Sequence, residues 1–445
     1  MSITKSINPL FAKFITIGAI VLGLLIPLGH VGSLVDERSG LRGTAEGRVA
    51  DGWGGQQTIG GPVLVLPIDT RERDPNDRQR ETLHRDWRYL LPAMLDVSAA
   101  LTPQQRHSGI YKVNAYTAEI TMTARFNEGM LRKLSAVLPG ATIAWSDAEI
   151  IVPISDLRGI REISTVSWNG KQLIVSPSLD GRVRGVSSVI ELGPQAIGDV
   201  VFEFRASIAG TKNFAVLPFG RTTTVRMRSV WPHPSFSGAF LPAHYKLDAK
   251  GFDANWQILE VNRNYPQTWD DAAVSSEALA ASAFGVSLYD PVDLYQRNYR
   301  AIRYAVLFIA ITFMCLFLWE QVARRRLHAM QYLLIGLALA TFYLLLIALS
   351  EHLGFALAYA LAALGQIGVL GVYLVGAMRA RLAGSLAAFG LAAIYGALYL
   401  LILSEQYALL LGALLLFVML AAILLVTRRV DWHEMTRSMA SGSAS

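Results

Sequence analysis

The chain has 445 residues, of which 53% are hydrophobic and 17% charged, and its formal net charge is +6 at pH 7. Its single cysteine, Cys315, excludes an intrachain disulfide, so each domain must be stabilised by its own core. The apolar residues concentrate in an N-terminal run and in the last third of the chain. Because about 18 consecutive apolar residues can cross a bilayer, this distribution predicts an integral membrane protein with a large soluble insertion.

The first apolar run, FAKFITIGAIVLGLLIPLGHV (11–31), is predicted to be a transmembrane helix. Lys5 and Lys13 lie near its start, and Asp36 and Glu37 follow it. A cleaved signal peptide is the alternative, but its apolar core would be shorter and a small-x-small cleavage site would follow. We interpret the run as an uncleaved anchor whose N-terminus is cytoplasmic.

The segment 32–298 has the pattern of a mainly-β domain. Apolar and polar residues alternate in YTAEITMTARF (116–126) and VVFEFRASIAG (200–210), which indicates strands with one buried face. The pair Asn169-Gly170 tolerates positive φ and therefore predicts a hairpin turn. Further predictions are strands at 61–68, 222–231 and 251–261, helices at 128–137 and 272–283, and a charged loop at 69–86.

Strands separated by glycine and proline turns predict a mainly antiparallel, sandwich-like domain. The sequence leaves open whether the domain is one sandwich or two. It also leaves open whether GPVLVLPI (61–68) lies at the edge or in the centre of a sheet. Together with the apolar runs, the predicted fold class is an α+β membrane protein with six transmembrane helices, one N-terminal and five C-terminal.

The five C-terminal spans are predicted at about 302–319, 329–350, 353–377, 382–403 and 406–426. Basic residues occupy alternate loops, and these are Arg324, Arg325, Arg326, Arg379, Arg381, Arg428 and Arg429. The positive-inside rule therefore predicts cytoplasmic termini and a periplasmic β domain. The resulting segments are a cytoplasmic N-terminus (1–10), a first helix (11–31), a periplasmic domain (32–298), a five-helix bundle (299–427) and a cytoplasmic tail (428–445).

The motif Leu-Ser-Glu occurs at the predicted outer ends of two spans and places Glu351, His352 and Glu405 there. One interpretation is that these residues mark helix ends exposed to water. The alternative is a polar membrane site in which the carboxylates line an entrance to the bundle, since intramembrane carboxylates commonly pair or mark a pathway. The middle of the predicted spans contains no Asp, Glu, Lys or Arg, which disfavours a proton-coupled transporter or an ion pump.

The stretch SVWPHPSFSGAFLPAHY (229–245) combines closely spaced prolines with large aromatic residues. Prolines stiffen the backbone and cannot donate to a β ladder, so the stretch is predicted to leave a strand as an ordered loop. Its aromatic residues either plug one end of the sandwich or form a rim that contacts lipid headgroups, a ligand or a partner. The candidate contacts are Trp231, His233, Phe236 and Phe240.

Sequence motifs for cofactor chemistry are missing, including the P-loop, the dinucleotide fingerprint and HExxH. The eight histidines are scattered without metal-ligand spacing, and no nucleophile elbow occurs. We therefore predict a protein that is not an enzyme, with no catalytic, cofactor-binding or metal-binding residues. We also predict that it has no nucleic-acid partner.

Four long stretches distinguish the chain: GGPVLVLPI (60–68), WPHPSFSGAFLP (231–242), RLHAMQYLLIGLALATFYLLLIALSEHLGF (326–355) and LLLG…TRRVDW (409–432). In this order they closely resemble the cell envelope integrity protein CreD family. The resemblance implies a bacterial inner-membrane protein of Gram-negative type, linked to a two-component regulatory system, to envelope stress and to colicin and β-lactam sensitivity. It implies no enzymatic activity and defines no catalytic residue.

Three functions are compatible with these observations. The first is non-catalytic envelope maintenance, in which the β domain binds a lipid, a glycan or a protein. The second is transport or lipid handling by the bundle, which requires a continuous cavity near Glu351 and Glu405. The third is a receptor that signals to a two-component sensor kinase, although loops such as VARRRLHAM (322–330) are short. The predicted partners are therefore membrane lipids and an envelope protein or sensor kinase, and the oligomeric state is left open.

Overall fold

The computed structural model describes residues 9–73, 81–130, 141–178, 183–193, 198–270, 273–288, 294–323, 327–378, 381–404 and 407–427. These residues form two compact units. The β unit lies within Arg42–Pro291, and the helical unit combines residues from Met1–Leu41 and Val292–Ser445. Each unit has a hydrophobic core of its own.

The described α-helices are α1 (Pro9–Trp53), α2 (Ser276–Ala281), α3 (Leu294–Ala323), α4 (Ala329–Leu353), α5 (Phe355–Met378), α6 (Arg381–Leu403) and α7 (Ala408–Thr427). Among the described residues, five helices are long and apolar enough to cross a membrane, namely α1 and α3 to α6. The prediction of six spans differs from this count by one. The predicted last span, 406–426, is helical, but its described apolar stretch, Leu409–Val418, is shorter than a span requires.

Helix α1 is longer than the predicted span 11–31. It continues to Trp53 because residues 32–53 contain no proline, and an ion pair between Arg42 and Glu46 (3.2 Å) links successive turns. The helix ends at Gly54, whose φ of +115° is unfavourable for any residue with a Cβ. The end of the first predicted span at residue 31 is therefore not a helix end.

Close packing between α1 and α4 in the helical unit depends on a small residue. A Cβ at Gly336 would lie 2.3 Å from Leu24 Cδ1 and 2.8 Å from Phe313 Cζ, so a larger residue would push the helices apart. Aromatic side chains fill the space between α5 and α6, where the Tyr359 hydroxyl donates a hydrogen bond to the Tyr395 carbonyl (2.6 Å). This part of the bundle is therefore well packed.

The β unit contains three sheets. The eight-stranded sheet has the order β16 (His244–Asp248), β17 (Gly251–Leu259), β14 (Thr222–Ser229), β4 (Met94–Ser108), β5 (Tyr111–Phe126), β12 (Val200–Thr211), β8 (Ile160–Trp168) and β9 (Lys171–Gln172). The second has the order β10 (Ser176–Pro177), β11 (Gly185–Val189), β7 (Glu149–Pro153), β2 (Val63–Arg73), β3 (Glu81–Leu90) and β18 (Thr268–Asp270), with β6 (Ala141–Ile143) beside β2. The third has the order β1 (Gln57–Gly60), β13 (Asn213–Leu217), β19 (Phe284–Leu288) and β15 (Pro234–Gly238).

The described strand pairs are antiparallel except for β1 with β13 and β4 with β14, which confirms the predicted mainly antiparallel fold class. The predicted alternating strands 116–126 and 200–210 lie within β5 and β12, which pair along their length. Their apolar faces, including Met122 and Phe204, are fully buried. All three sheets contribute to one core, so local periodicity correctly identified which residues face inward.

The turn at Asn169-Gly170 is confirmed as a hairpin that joins β8 to β9, and both residues have positive φ (49° and 78°). Strand β2 lies between β7 and β3, so GPVLVLPI is central in its sheet. The predicted helix at 272–283 is shortened to α2, which is capped by Ser275. The predicted helix at 128–137 lies mainly outside the described residues.

The charged segment 69–86 is not a loop throughout, as the sequence had predicted. Its two ends continue β2 and β3 and pair across the ladder, with Asp69 opposite Arg85. The Arg85 Nε donates to Asp69 Oδ1 (2.7 Å), and this hydrogen bond lowers the pKa of Asp69 below its usual value. The charges thus support strand pairing, while residues 74–80 lie outside the described chain.

The C-terminal end of α1 packs against the β unit to which it belongs. The Trp53 ring lies between two guanidinium groups, 3.6 Å from Arg106 Cζ and 4.1 Å from Arg161 Cζ, measured to the ring centroid. Its Nε1 donates to the Tyr116 carbonyl (3.3 Å), and Arg161 donates to the Trp53 carbonyl (2.7 Å). The helix end is therefore held by ring, side-chain and backbone contacts.

A buried carboxylate holds the residues that follow α1. The Arg158 side chain donates to both Asp156 oxygens (3.0 and 2.9 Å), and the Gly55 N–H donates to Oδ2 (2.9 Å). Gln57 Nε2 donates to the Asp156 carbonyl (3.0 Å). The hydrogen bonds from Arg158, followed by the Gly55 contact, lower the pKa of Asp156 to about 2 despite its burial.

We expect the β unit to lose stability as the pH falls from about 4 to about 2. The lowered folded-state pKa of Asp156 contributes stability above the unfolded value of 3.8, and protonation removes it as the pH falls through the folded value. The loss is on the order of 1–2 kcal/mol after allowance for solvent screening by the half-exposed Arg158. Urea unfolding of the full chain in detergent, followed by tryptophan fluorescence at several pH values, measures it. Asp156→Asn should flatten this dependence, whereas the exposed Asp96→Asn should not.

Candidate functional site

The proline-rich segment after β14 contains a strand where the sequence predicted an ordered loop. Pro234–Gly238 forms β15, which pairs with β19 and is the last strand of its sheet. Proline is tolerated here because it opens an edge strand and its missing N–H interrupts no central ladder. The loop prediction is therefore wrong for these residues.

Phe236 and Phe240 are half-buried and pack against the core of the β unit. The Phe236 ring lies 5.8 Å from the Trp256 ring, and the Phe240 ring lies 5.8 Å from the Phe284 ring, between centroids. Trp256 Nε1 also donates a hydrogen bond to the Phe240 carbonyl (3.2 Å). Both phenylalanines thus stabilise the core of this unit.

His233 lies at the surface, whereas Trp231 packs against the core as the two phenylalanines do. Trp231 is half-buried, and its Nε1 donates to the His233 carbonyl (3.1 Å), while the His233 side chain is exposed. The structure therefore brings Phe236 and Phe240 to the core and leaves His233 at the surface. A role for these four residues as ligand or partner contacts stays a prediction.

The next strand, β16, leaves apolar side chains uncovered. It is the last strand of the eight-stranded sheet, with Tyr245 opposite Ala254 and Leu247 opposite Phe252 of β17. Opposite residues of an antiparallel pair share a face, so Tyr245 and Leu247 extend the face that carries the core. Ala254 and Phe252 are 0% and 4% exposed, whereas Tyr245 and Leu247 are 59% and 51% exposed. We call Tyr245, Leu247 and the outer backbone of β16 the β16 edge.

Glu351 lies at the C-terminal end of α4 and is largely shielded from solvent. The Tyr295 hydroxyl donates to Glu351 Oε1 (3.2 Å), and Arg38 Nε lies 3.8 Å from the same oxygen. His352 is exposed, and Glu405 lies outside the described residues. Glu351 therefore joins α1, α3 and α4, while a pairing of Glu351 with Glu405 stays a prediction.

Polar contacts continue beside Glu351 within the helical unit. Asn298 Nδ2 donates to Ser350 Oγ (2.9 Å), and both side chains are buried. Arg300 Nη1 donates to the Ile402 carbonyl (3.3 Å) near the end of α6. The last carbonyls of a helix are unsatisfied and partly negative, so a guanidinium stabilises them. These hydrogen bonds link α3 to α4 and α6.

A second carboxylate is buried at the other end of α3. Glu320 is 3% exposed and forms an ion pair with Lys13 of α1. Its Oε2 accepts from the Tyr332 hydroxyl (3.1 Å) and its Oε1 from the Leu327 N–H (3.0 Å). Lys13 Nζ also donates to the Leu327 carbonyl (3.0 Å). We call Lys13, Glu320 and Tyr332 the buried polar cluster.

Residues 9–433 match the protein family described as Inner membrane protein CreD. The chain belongs to the CreD family. It is 33% identical over 436 residues to the inner membrane protein CreD of Escherichia coli (strain K12), which covers 96% of this chain and 94% of that protein. The resemblance seen in the sequence is thereby confirmed. This CreD family member is a multi-pass inner-membrane protein with a large β domain.

Two solved structures align with part of this chain. A variant of an M1 zinc metallopeptidase from Deinococcus radiodurans aligns at 13% identity with a TM-score of 0.20, over 38% of each chain. A further structure of that metallopeptidase aligns at 12% identity with a TM-score of 0.19, again over 38% of each chain. Likeness at this level carries no functional argument.

Sequence reasoning missed the buried polar cluster of this CreD family member. It placed Lys13 only as a charge that sets orientation, and it ended a span at residue 319, directly before Glu320. The available signal was a lone acidic residue at the end of an apolar run together with a lysine inside another. Ionisable residues in transmembrane helices usually pair with each other and mark functional sites.

Proposed function

We propose that this CreD family member is a non-catalytic inner-membrane protein for cell envelope integrity, whose periplasmic β domain binds an envelope protein along the β16 edge. The observation that carries the proposal is the uncovered extension of the core face at Tyr245 and Leu247. In this proposal the termini are cytoplasmic, as the distribution of arginines predicts.

The backbone of β16 favours a protein partner over a glycan or a lipid. Among the described strands it pairs with β17 alone, so its outer N–H and C=O groups can accept a further strand. An added strand would place apolar side chains against Tyr245 and Leu247 and would pair the free backbone at the same time. Leu241 (73% exposed), three residues before β16, adds exposed apolar surface to the segment that leads into this strand.

Substitutions at Tyr245 and Leu247 test this proposal. We expect Leu247→Lys and Tyr245→Lys to weaken partner binding about tenfold, equivalent to about 1.4 kcal/mol, because a lysine cannot be buried beneath an added strand. The full chain, with a photo-crosslinking residue at position 247 or 246, is expressed in cells that lack their own copy. The envelope protein captured at 247 is identified by mass spectrometry, and capture at 246 reports the opposite face of the same added strand. Protection of the cells against a β-lactam is measured in parallel.

Lys246→Glu is the matched control, since it changes charge on the same strand but on the opposite face. Loss of both the crosslink and protection with Leu247→Lys, but not with Lys246→Glu, supports the proposal. A folded Leu247→Lys protein that protects cells fully contradicts it. A lipid or glycan adduct at position 247 would replace the protein partner with that class of ligand.

The packing between α3, α4 and α6 weighs against a conduit at this place in the bundle. The space between α3, α4 and α6 is a void of about 10 Å³, lined by Thr312, Tyr343 and Tyr395 among others. A void of this size holds about one water molecule. This part of the bundle therefore has no room for a transported substrate, which favours binding by the β domain.

A further inference from the structure

A cavity of about 420 Å³ lies between α1 and α4 in the helical unit. Its lining includes Ala12, Lys13, Thr16, Ile17, Ile20 and His328. The volume is within the range of about 300–1,000 Å³ that is typical of ligand sites. Because the α1 side of the lining is mainly aliphatic, the cavity suits an apolar chain rather than a polar metabolite.

Two hydrogen-bond donors lie at this cavity. The Lys13 ammonium has three N–H groups, of which Glu320 and the Leu327 carbonyl use two. The Lys13 side chain is 22% exposed, so its third N–H has access to the cavity. His328 Nδ1 accepts the Met330 N–H (3.2 Å), which places the proton of the neutral ring on Nε2 and leaves an exposed donor.

The charged acceptor near the cavity is already occupied. Both Glu320 oxygens receive hydrogen bonds, and the residue is 3% exposed, so the carboxylate is shielded from any ligand. The Thr16 hydroxyl donates to the Ala12 carbonyl (2.9 Å) within α1. Thr16 Oγ1 has used its proton and remains a neutral acceptor, so the N–H donors available at the cavity are those of Lys13 and His328. In addition α4 begins at Ala329, and the positive end of its dipole favours negative charge.

We propose that this cavity binds a single phospholipid, with its phosphate at Lys13 and His328 and one acyl chain along Ile17 and Ile20. The complementarity is twofold: donors face an anionic headgroup, and aliphatic side chains face a hydrocarbon chain. The site is separate from the β16 edge and does not depend on the proposed function. It is also separate from Glu351, where a polar entrance was one of two interpretations of the sequence.

Native mass spectrometry of the full chain tests the site. The protein is reconstituted in vesicles of equal parts phosphatidylethanolamine and phosphatidylglycerol, extracted in mild detergent, and the retained phospholipid is counted as collision energy rises. We expect one tightly held phospholipid on the wild type. Thr16→Phe should lower the retained fraction about tenfold by filling the cavity, equivalent to about 1.4 kcal/mol. His328→Asp should do the same by repelling the phosphate, while aspartate preserves the cap of α4.

Thr341→Phe is the matched control. Thr341 is an exposed residue of α4 whose hydroxyl also bonds a carbonyl of its own helix (Ala338, 2.7 Å), and it does not line the cavity. Melting of each variant in detergent establishes that it is folded. Retention by both cavity variants, or equal loss from Thr341→Phe, overturns the proposal. Inorganic phosphate added in excess should not displace the phospholipid; if it does, the site recognises the phosphate alone and the acyl-chain assignment is wrong.

Discussion

Replacing Glu320 by leucine is expected to destabilise the helical unit by about 3–5 kcal/mol, the range found when one partner of a buried ion pair is removed. The substitution leaves the Lys13 ammonium, the Tyr332 hydroxyl and the Leu327 N–H without their shared acceptor. Tyr332 and Leu327 are 0% and 5% exposed, so their donors cannot recover hydrogen bonds from water. Unfolding of the full chain by dodecyl sulfate in mixed micelles, followed by loss of helical circular dichroism, measures the change.

The double variant Lys13→Met with Glu320→Leu distinguishes a buried pair from simple side-chain packing. Because both charges are then replaced by apolar groups of similar size, most of the lost stability should return. Lys13→Met alone should also be destabilising, since it leaves the Glu320 carboxylate buried without a counter-ion. If the two single losses simply add in the double variant, the ion pair is not the source of the stability.

The membrane spans could be predicted from the sequence, but the Lys13–Glu320 pair could not. Apolar length identifies a helix because the bilayer sets its minimum length. It does not identify which helices touch, and these two residues are separated by 307 positions. Apolar length also does not identify where a helix ends. The first span was predicted to end at residue 31, but α1 continues to Trp53, since residues 32–53 contain no proline.

The β unit shows the same division between local and long-range information. Period-two alternation in 116–126 and 200–210 correctly predicted strands and their buried faces. The parallel pairing of β14 with β4, which aligns Thr222 with Met94, has no local signal. The β16 edge was missed for this reason, because the exposure of Leu247 is unusual only once the residue opposite it is known.

The proline-rich segment shows how the same side chains can support two interpretations. The sequence predicted a stiff aromatic segment, and stiffness is a local property of proline. Whether the rings face out or in depends on which sheet the segment joins. Pairing of β15 with β19 brings Phe236 next to Trp256 and Phe240 next to Phe284, and neither partner could be foreseen from the segment itself.

Trp256→Ala is expected to lower the free energy of unfolding of the β unit by about 3–5 kcal/mol, the usual cost of deleting a buried aromatic side chain. Trp256 is 1% exposed and contacts the rings of Phe236 and Phe284 at 5.8 and 5.7 Å between centroids. Its loss also leaves the Phe240 carbonyl without the Nε1 hydrogen bond. Guanidinium unfolding of the full chain in detergent, followed by far-ultraviolet circular dichroism of the β signal, gives the value.

Phe236→Ala and Trp231→Ala test which rings of the aromatic segment form one core with Trp256. Phe236 contacts Trp256 directly, so its truncation should cost about 2–4 kcal/mol and should couple to Trp256→Ala in a double-mutant cycle. Trp231 Nε1 donates to the His233 carbonyl of its own segment (3.1 Å), so its truncation should cost less and should add independently of Trp256→Ala. Full additivity of Phe236→Ala with Trp256→Ala would mean that these rings do not form one core. Loss of partner binding with Trp231→Ala at nearly unchanged stability would instead favour its predicted role as a contact.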